Sequence, residues 1–213
     1  MRLLSSTLAA GLLLGLSGCR ASAESLFNGH DLSGWELVTV PPTALNTVCQ
    51  TTAAGTILVS GQPVGYLATT APHENYRFHA EWRWTEKPGN SGVLVHISSG
   101  PKDRAWPLCV QVQTKNKNVG DLLPMAGATF AEPLTSAPGS SPAIKARVSA
   151  DSEKPMGEWN SCDLVCRGAT IEVTINGVRQ NLITQTSPRS GQIGFQLEGT
   201  PFELRNITLM PLD

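Results

Sequence analysis

The stretch Arg77-Phe78-His79-Ala80-Glu81-Trp82-Arg83-Trp84 alternates polar and apolar side chains without a break. Strand side chains point to opposite faces in turn, so a period of two marks a half-buried β-strand. Phe78, Ala80, Trp82 and Trp84 are assigned to a core, and His79, Glu81 and Arg83 to the outside. The segment Gly92-Val93-Leu94-Val95-His96-Ile97-Ser98 follows the same logic, with Val93, Val95 and Ile97 inside and Leu94 and His96 outside. In Cys109-Val110-Gln111-Val112-Gln113-Thr114, Val110 and Val112 turn inward and Gln111 and Gln113 outward. Taken as neighbouring strands, the three bring Glu81, Arg83, His96, Gln111 and Gln113 onto one outer sheet face. Function is expected there.

Other strand-length segments recur at the spacing of all-β folds: residues 56–59, 65–69, 162–166, 170–175, 192–197 and 202–210. Ile171-Glu172-Val173-Thr174-Ile175 runs into Asn176-Gly177, a pair suited to the positive φ angles of a type I′ hairpin turn. Ile171, Val173 and Ile175 are expected inside, Glu172 and Thr174 outside. Residues 121–158 are rich in Pro, Gly, Ser and Ala and read as a long surface loop with one or two short strands, either a binding-site lid or a plain connection. Helical periodicity is almost absent. The expected architecture is an all-β, two-sheet antiparallel sandwich, a single domain over residues 25–213.

The N-terminus carries an address rather than a fold. Arg2 precedes an apolar run from Leu8 to Leu16 that is too short to span a bilayer, followed by Leu16-Ser17-Gly18-Cys19. This ending resembles a bacterial lipobox, which implies removal of residues 1–18 and a diacylglyceryl group on the sulfur of Cys19, with residues 19–24 as a short linker. An ordinary secretory signal cut near Ala21-Ser22-Ala23 is the alternative. Either way the chain is expected to be exported to the bacterial cell envelope, touching a membrane only through a lipid anchor. The formal charge of −1 and the scatter of Lys and Arg argue against nucleic acid or an anionic membrane surface as partners.

Four cysteines follow Cys19: Cys49, Cys109, Cys162 and Cys166. Cys162 and Cys166 lie four apart on one strand, about 13 Å at strand rise, too far to bridge each other. Pairing with Cys49 or Cys109 and free buried thiols both stay open. No Cys-x-x-Cys pair or paired His suggests a zinc site.

Nine motifs in order carry a resemblance from about Ser25 to the C-terminus. They include Phe27-Asn28-Gly29-His30-Asp31-Leu32-Ser33-Gly34-Trp35, Gly61-Gln62-Pro63-Val64-Gly65-Tyr66-Leu67, Glu81-Trp82-Arg83 and Gly89-Asn90-Ser91-Gly92-Val93-Leu94-Val95-His96. Further along stand Gln113 with Asn118-Val119-Gly120-Asp121, Gly157-Glu158-Trp159-Asn160, Asn176-Gly177-Val178, Gly191-Gln192-Ile193-Gly194-Phe195-Gln196-Leu197-Glu198-Gly199, and Phe202-Glu203-Leu204-Arg205-Asn206-Ile207. Together they resemble the 3-keto-disaccharide hydrolase family. The resemblance implies a concanavalin A-like, laminin G-like jelly roll and an oxidised glycoside or oligosaccharide as substrate. One departure stands out: Gln111 lies where many relatives carry Glu.

A keto group at C3 acidifies the proton on C2. Its removal gives an enolate that expels the C1 substituent, and water then adds back. Such a reaction needs a base of near-neutral pKa, a donor for the enolate and an acid for the leaving oxygen. His96 is the expected base, Arg83 the enolate partner, and Glu81 or Glu198 the group that orients His96 or protonates the leaving oxygen. Gln111, Gln113 and Gln196 suit sugar hydroxyls, and Trp106 suits stacking on a pyranose. Asp121 is a candidate substrate contact or ligand for a divalent cation, or else a turn residue bonding its own backbone. The competing readings are a non-catalytic carbohydrate-binding sandwich, which Gln111 favours, and a structural lipoprotein.

Overall fold

The computed structural model describes residues 22–212. Its strands are β1 (Glu24–Ser25), β2 (Trp35–Val40), β3 (Cys49–Thr51), β4 (Ile57–Val59), β5 (Val64–Thr69), β6 (Tyr76–Trp84), β7 (Gly92–Asp103) and β8 (Trp106–Gln113). They continue as β9 (Leu122–Met125), β10 (Asn160–Arg167), β11 (Thr170–Ile175), β12 (Val178–Ile183), β13 (Gln192–Leu197) and β14 (Phe202–Pro211), with one helical turn, α1 (Leu45–Val48). One sheet runs β12-β11-β10-β6-β14-β4-β3, with β1 on β14; the other runs β2-β5-β13-β7-β8-β9. Every pairing is antiparallel. The architecture is the expected two-sheet jelly roll.

The core lies between the sheets because each strand contributes its apolar alternate positions. Trp82 and Trp84 from one sheet meet Val93, Val95, Val110, Val112, Ile193, Phe195 and Leu197 from the other, all buried. The hairpin turn has the expected chemistry: Asn176 and Gly177 sit at φ of 50° and 79°, the left-handed pair of a type I′ turn. The Phe27–Trp35 motif is a structural brace. Asn28 Oδ1 accepts the amides of His30 and Asp31, Asp31 Oδ1 accepts that of Ser33, and Trp35 Nε1 donates to Leu26 at 2.8 Å. All four cysteines of the described residues are free and buried.

Two expectations about faces are corrected. First, β6 and β7 are consecutive but belong to different sheets. The alternation within β6 holds, but its outer face lies on the opposite side of the sandwich from that of β7 and β8. Glu81 and Arg83 are therefore separated from Gln111 and Gln113 by the whole core. Second, β7 carries a bulge. Gln192 pairs with Ile97 and Gly194 with Leu94, so one residue of β13 faces two of β7. His96 sits at the irregularity with φ of 58°, and an extra residue inverts the faces of everything beyond it. His96 turns inward, fully buried, and its ring meets Tyr76 edge-on at 5.8 Å. Ile97, expected inside, joins Tyr66, Ala68, Leu94 and Cys109 on the outer face.

Candidate functional site

The outer face of the six-stranded sheet carries a cleft of about 340 Å³. Its floor is built by period-two alternation on two strands. Gln111 and Gln113 project from β8, and Gln196 projects from β13 with Glu198 just beyond its end. Asn90 closes one side ahead of β7, and Lys115 continues the alternate positions of β8 past its end. Asp103, Arg104 and Trp106 from the β7–β8 turn and residues 141–143 of the long connection complete the lining. Gly92 makes the floor possible. A Cβ there would lie 2.6 Å from Gln111 Nε2, so only glycine lets that amide lie flat on the sheet.

The polar groups form one chain of hydrogen bonds. Gln111 Nε2 donates to Gln113 Oε1 and to Gln196 Oε1, each at 2.8 Å. Gln196 Nε2 donates to Glu198 Oε2 at 2.8 Å, and Asn90 Nδ2 donates to the same oxygen at 2.7 Å. Burial pushes the Glu198 carboxyl above the usual range, while Lys115 and Arg104 pull the other way. Glu198 is solvent-exposed, and its carboxylate has one oxygen bonded twice and the other free, in a cleft lined by amides and two cations. Such a group can exchange a proton with a bound ligand.

Of the residues singled out in the sequence, Gln111, Gln113, Gln196, Trp106 and Glu198 meet in this cleft. Glu81, Arg83, His96 and Asp121 lie elsewhere. On the far face, Glu81 pairs with Arg205 at 2.6 Å and accepts from Asn206. Arg83 pairs with Glu203 at 2.6 Å and stacks over Trp159, with Arg205 on the same ring at 4.0 Å. His79 donates Nδ1–H to Asp163 there at 2.7 Å, which raises its pKa. All are engaged with each other across strands.

His96 donates Nδ1–H to the carbonyl of Pro188 at 3.2 Å, and burial lowers its pKa to about 4. A neutral ring sealed between the sheets cannot reach a sugar. Asp121 is also buried, with Oδ1 accepting the amide of Arg147 and Oδ2 the side chain of Asn118. It braces the long connection. Among the described residues, no three His, Cys, Asp or Glu side chains gather as a metal site.

Asn90, Asp103, Arg104 and Lys115 were not singled out, although two carried a signal. Lys115 shares the parity of Gln111 and Gln113, and Asn90 opens the Asn-Ser-Gly motif ahead of β7.

Among solved structures, a Parabacteroides distasonis protein provisionally assigned as a glycosyl hydrolase matches over 90% of this chain and 94% of its own, with 21% identity and a TM-score of 0.67. A carbohydrate-binding module from Bacillus subtilis matches over 83% and 95%, with 11% identity and a TM-score of 0.58. The β-glucanase of Bacillus licheniformis matches over 92% and 100%, with 11% identity and a TM-score of 0.54. These likenesses are of fold. No curated protein matches the chain significantly. The model of the 3-keto-alpha-glucoside-1,2-lyase-like domain matches residues 22–210, nearly the whole chain, and so the protein belongs to the 3-keto-disaccharide hydrolase family.

Proposed function

We propose that the protein cleaves 3-keto-glycosides in this cleft, with Glu198 as the proton-transferring group. The observation that carries the reading is the free Oε1 of a Glu198 whose other oxygen is held by Asn90 and Gln196, in a cleft floored by glutamine amides. Glu198 removes the C2 proton. The electron pair moves onto the C3 oxygen, where the cations of Lys115 and Arg104 offset the developing charge. Collapse of the enolate breaks the C1–O bond, and the leaving oxygen takes a proton from the newly formed carboxylic acid. Water then adds across the resulting C1=C2 bond, with hydroxyl at C1 and a proton at C2. The amides of Gln113 and Gln196 suit the ring hydroxyls, and Trp106 suits a pyranose face.

The test is incubation of residues 22–213 with 3-keto-trehalose or a 3-keto-glucoside in heavy water. The reading expects free sugar carrying deuterium at C2. Release without deuterium at C2 would exclude the elimination route, and binding without release would favour the second reading, a non-catalytic sugar-binding sandwich. That alternative rests on Gln111, which cannot act as a base at a position where the resemblance implies Glu in many relatives.

Export and lipid anchoring at Cys19 belong to the same proposal. Cys19 and the signal segment lie outside the described residues. Among those described, no helix is long and apolar enough to cross a membrane. Cys19→Ala should move the full-length protein out of the membrane fraction. Continued partitioning into detergent would rule out the lipid anchor.

A further inference from the structure

The hydrogen-bond chain has a direction, and chemistry alone sets it. An ionised carboxylate only accepts, so Gln196 must turn Nε2 toward Glu198. Its Oε1 then faces Gln111, which must answer with a donor. The two protons of Gln111 Nε2 are both used, on Gln196 Oε1 and Gln113 Oε1, each at 2.8 Å. That leaves the nitrogen of Gln113 outside the chain. Gln111 is completely buried, held flat by Gly92, and its Oε1 has no partner.

We propose that Gln111 is a positioning residue: its two amide protons set the direction of the Gln113–Gln111–Gln196–Glu198 chain, and that direction leaves Oε1 of Glu198 as the oxygen that takes and returns the proton. The inference rests on the reading of Glu198 as the proton-transferring group. Oε2 already accepts from Asn90 and Gln196. A proton placed there would force a donor against a donor, whereas Oε1 has no such competitor among the described residues.

A carboxylate at position 111 reverses the chain. It offers only lone pairs, so Gln113 and Gln196 both turn their nitrogens toward it. Gln196 then presents its oxygen to Glu198, which must be protonated to remain bonded. Glu198 would then hold its proton to higher pH. The other charges facing Glu198 are Lys115 and Arg104, and Asp103 also lines the cleft; none is part of the chain. In this family member, Gln111 thus favours the ionised form of Glu198 and keeps its Oε1 free.

Two measurements test this. Neutron diffraction from the native protein at acid pH should place the carboxyl deuteron of Glu198 on Oε1 and two deuterons on the Gln111 nitrogen. A deuteron on Oε2, or the Gln111 oxygen turned toward Gln196, overturns the proposal without recourse to any variant. The second is an NMR titration of the Glu198 carboxyl. Gln111→Glu should raise its midpoint by about one unit or more, the scale of a carboxylate losing a donor near a second carboxylate. The rising limb of the pH–rate profile should move with it. In a Gln196→Leu background the same substitution should move the midpoint by no more than about a third of that, since the coupling passes through Gln196. Equal shifts in both backgrounds would mean plain charge repulsion and reject the chain. A confirmed chain without release of sugar from 3-keto-glycosides would remove only the proposed activity. An active native enzyme with an unmoved midpoint would remove only the role of Gln111.

Discussion

Asn90 Nδ2 reaches Oε2 of Glu198 at 2.7 Å, joining two loops 108 residues apart in the chain. This bond ties the entry of β7 to the exit of β13, neighbouring strands of the same sheet. It makes Glu198 the fixed point of the cleft. Glu198→Gln should therefore reduce turnover of a 3-keto-glycoside by about two to four orders of magnitude, the scale of losing a general base. Binding should weaken far less. Full turnover in this variant would move the base to another residue.

The pH dependence of that turnover should rise through a pKa above the ordinary carboxylate value, because burial is the larger influence on Glu198. Lys115→Met removes an opposing cation and should move the limb further up. A limb that moves down, or not at all, would show that the charge of Lys115 does not reach Glu198.

Arg83→Ala tests the separation of the two outer faces. Turnover should be unchanged, since the whole core lies between Arg83 and the cleft. Stability should fall by about 1–3 kcal/mol, because Glu203, whose side chain is only 10% exposed, loses its cation. A turnover defect with normal stability would contradict the arrangement of the sheets.

His96 should make the fold sensitive to mild acid. Its pKa is about 4 in the folded chain and 6.5 in the unfolded one. Between these values unfolding takes up a proton, so the stabilising contribution is complete above about pH 6.5 and is lost as pH falls toward 4. The full difference is on the order of 3 kcal/mol. Thermal melts of His96→Leu should show a shallower decline than the native protein across that window. Parallel declines would mean that His96 titrates normally and is not sealed in the core.

The thiols offer a simple check. Cys49, Cys109, Cys162 and Cys166 are buried and unpaired, and burial pushes Cys49 and Cys166 up to about 12. A thiol reagent should label none of the four in the folded domain and all four after denaturation, with or without prior reduction. Fewer than four labelled in the unreduced, denatured domain would reveal a disulfide.

Much of this was legible in the residues because alternation is local. Whether Trp82 faces inward relative to Arg83 depends only on the pleat of one strand, and the same holds for Gln111 against Val112 and Gln196 against Leu197. Asn176-Gly177 specified its turn through backbone sterics alone. The resemblance to the family rested on motifs such as Phe27–Trp35, which proved to be a brace of side-chain to backbone bonds around Trp35.

Tertiary structure decided what local pattern cannot carry. Sheet membership is a long-range choice, so β6 and β7, adjacent in the chain, went to opposite sheets and took Glu81 and Arg83 away from the glutamines. The bulge at His96 depends on a partner nearly a hundred residues later, where Ile193 faces two residues of β7. That one-residue offset moved a histidine of good catalytic character from the surface into the core. Glu198 became the centre of the site for the converse reason: folding brought Asn90, Gln111 and Lys115, none near it in sequence, around a carboxylate that alternation alone marked only as outward.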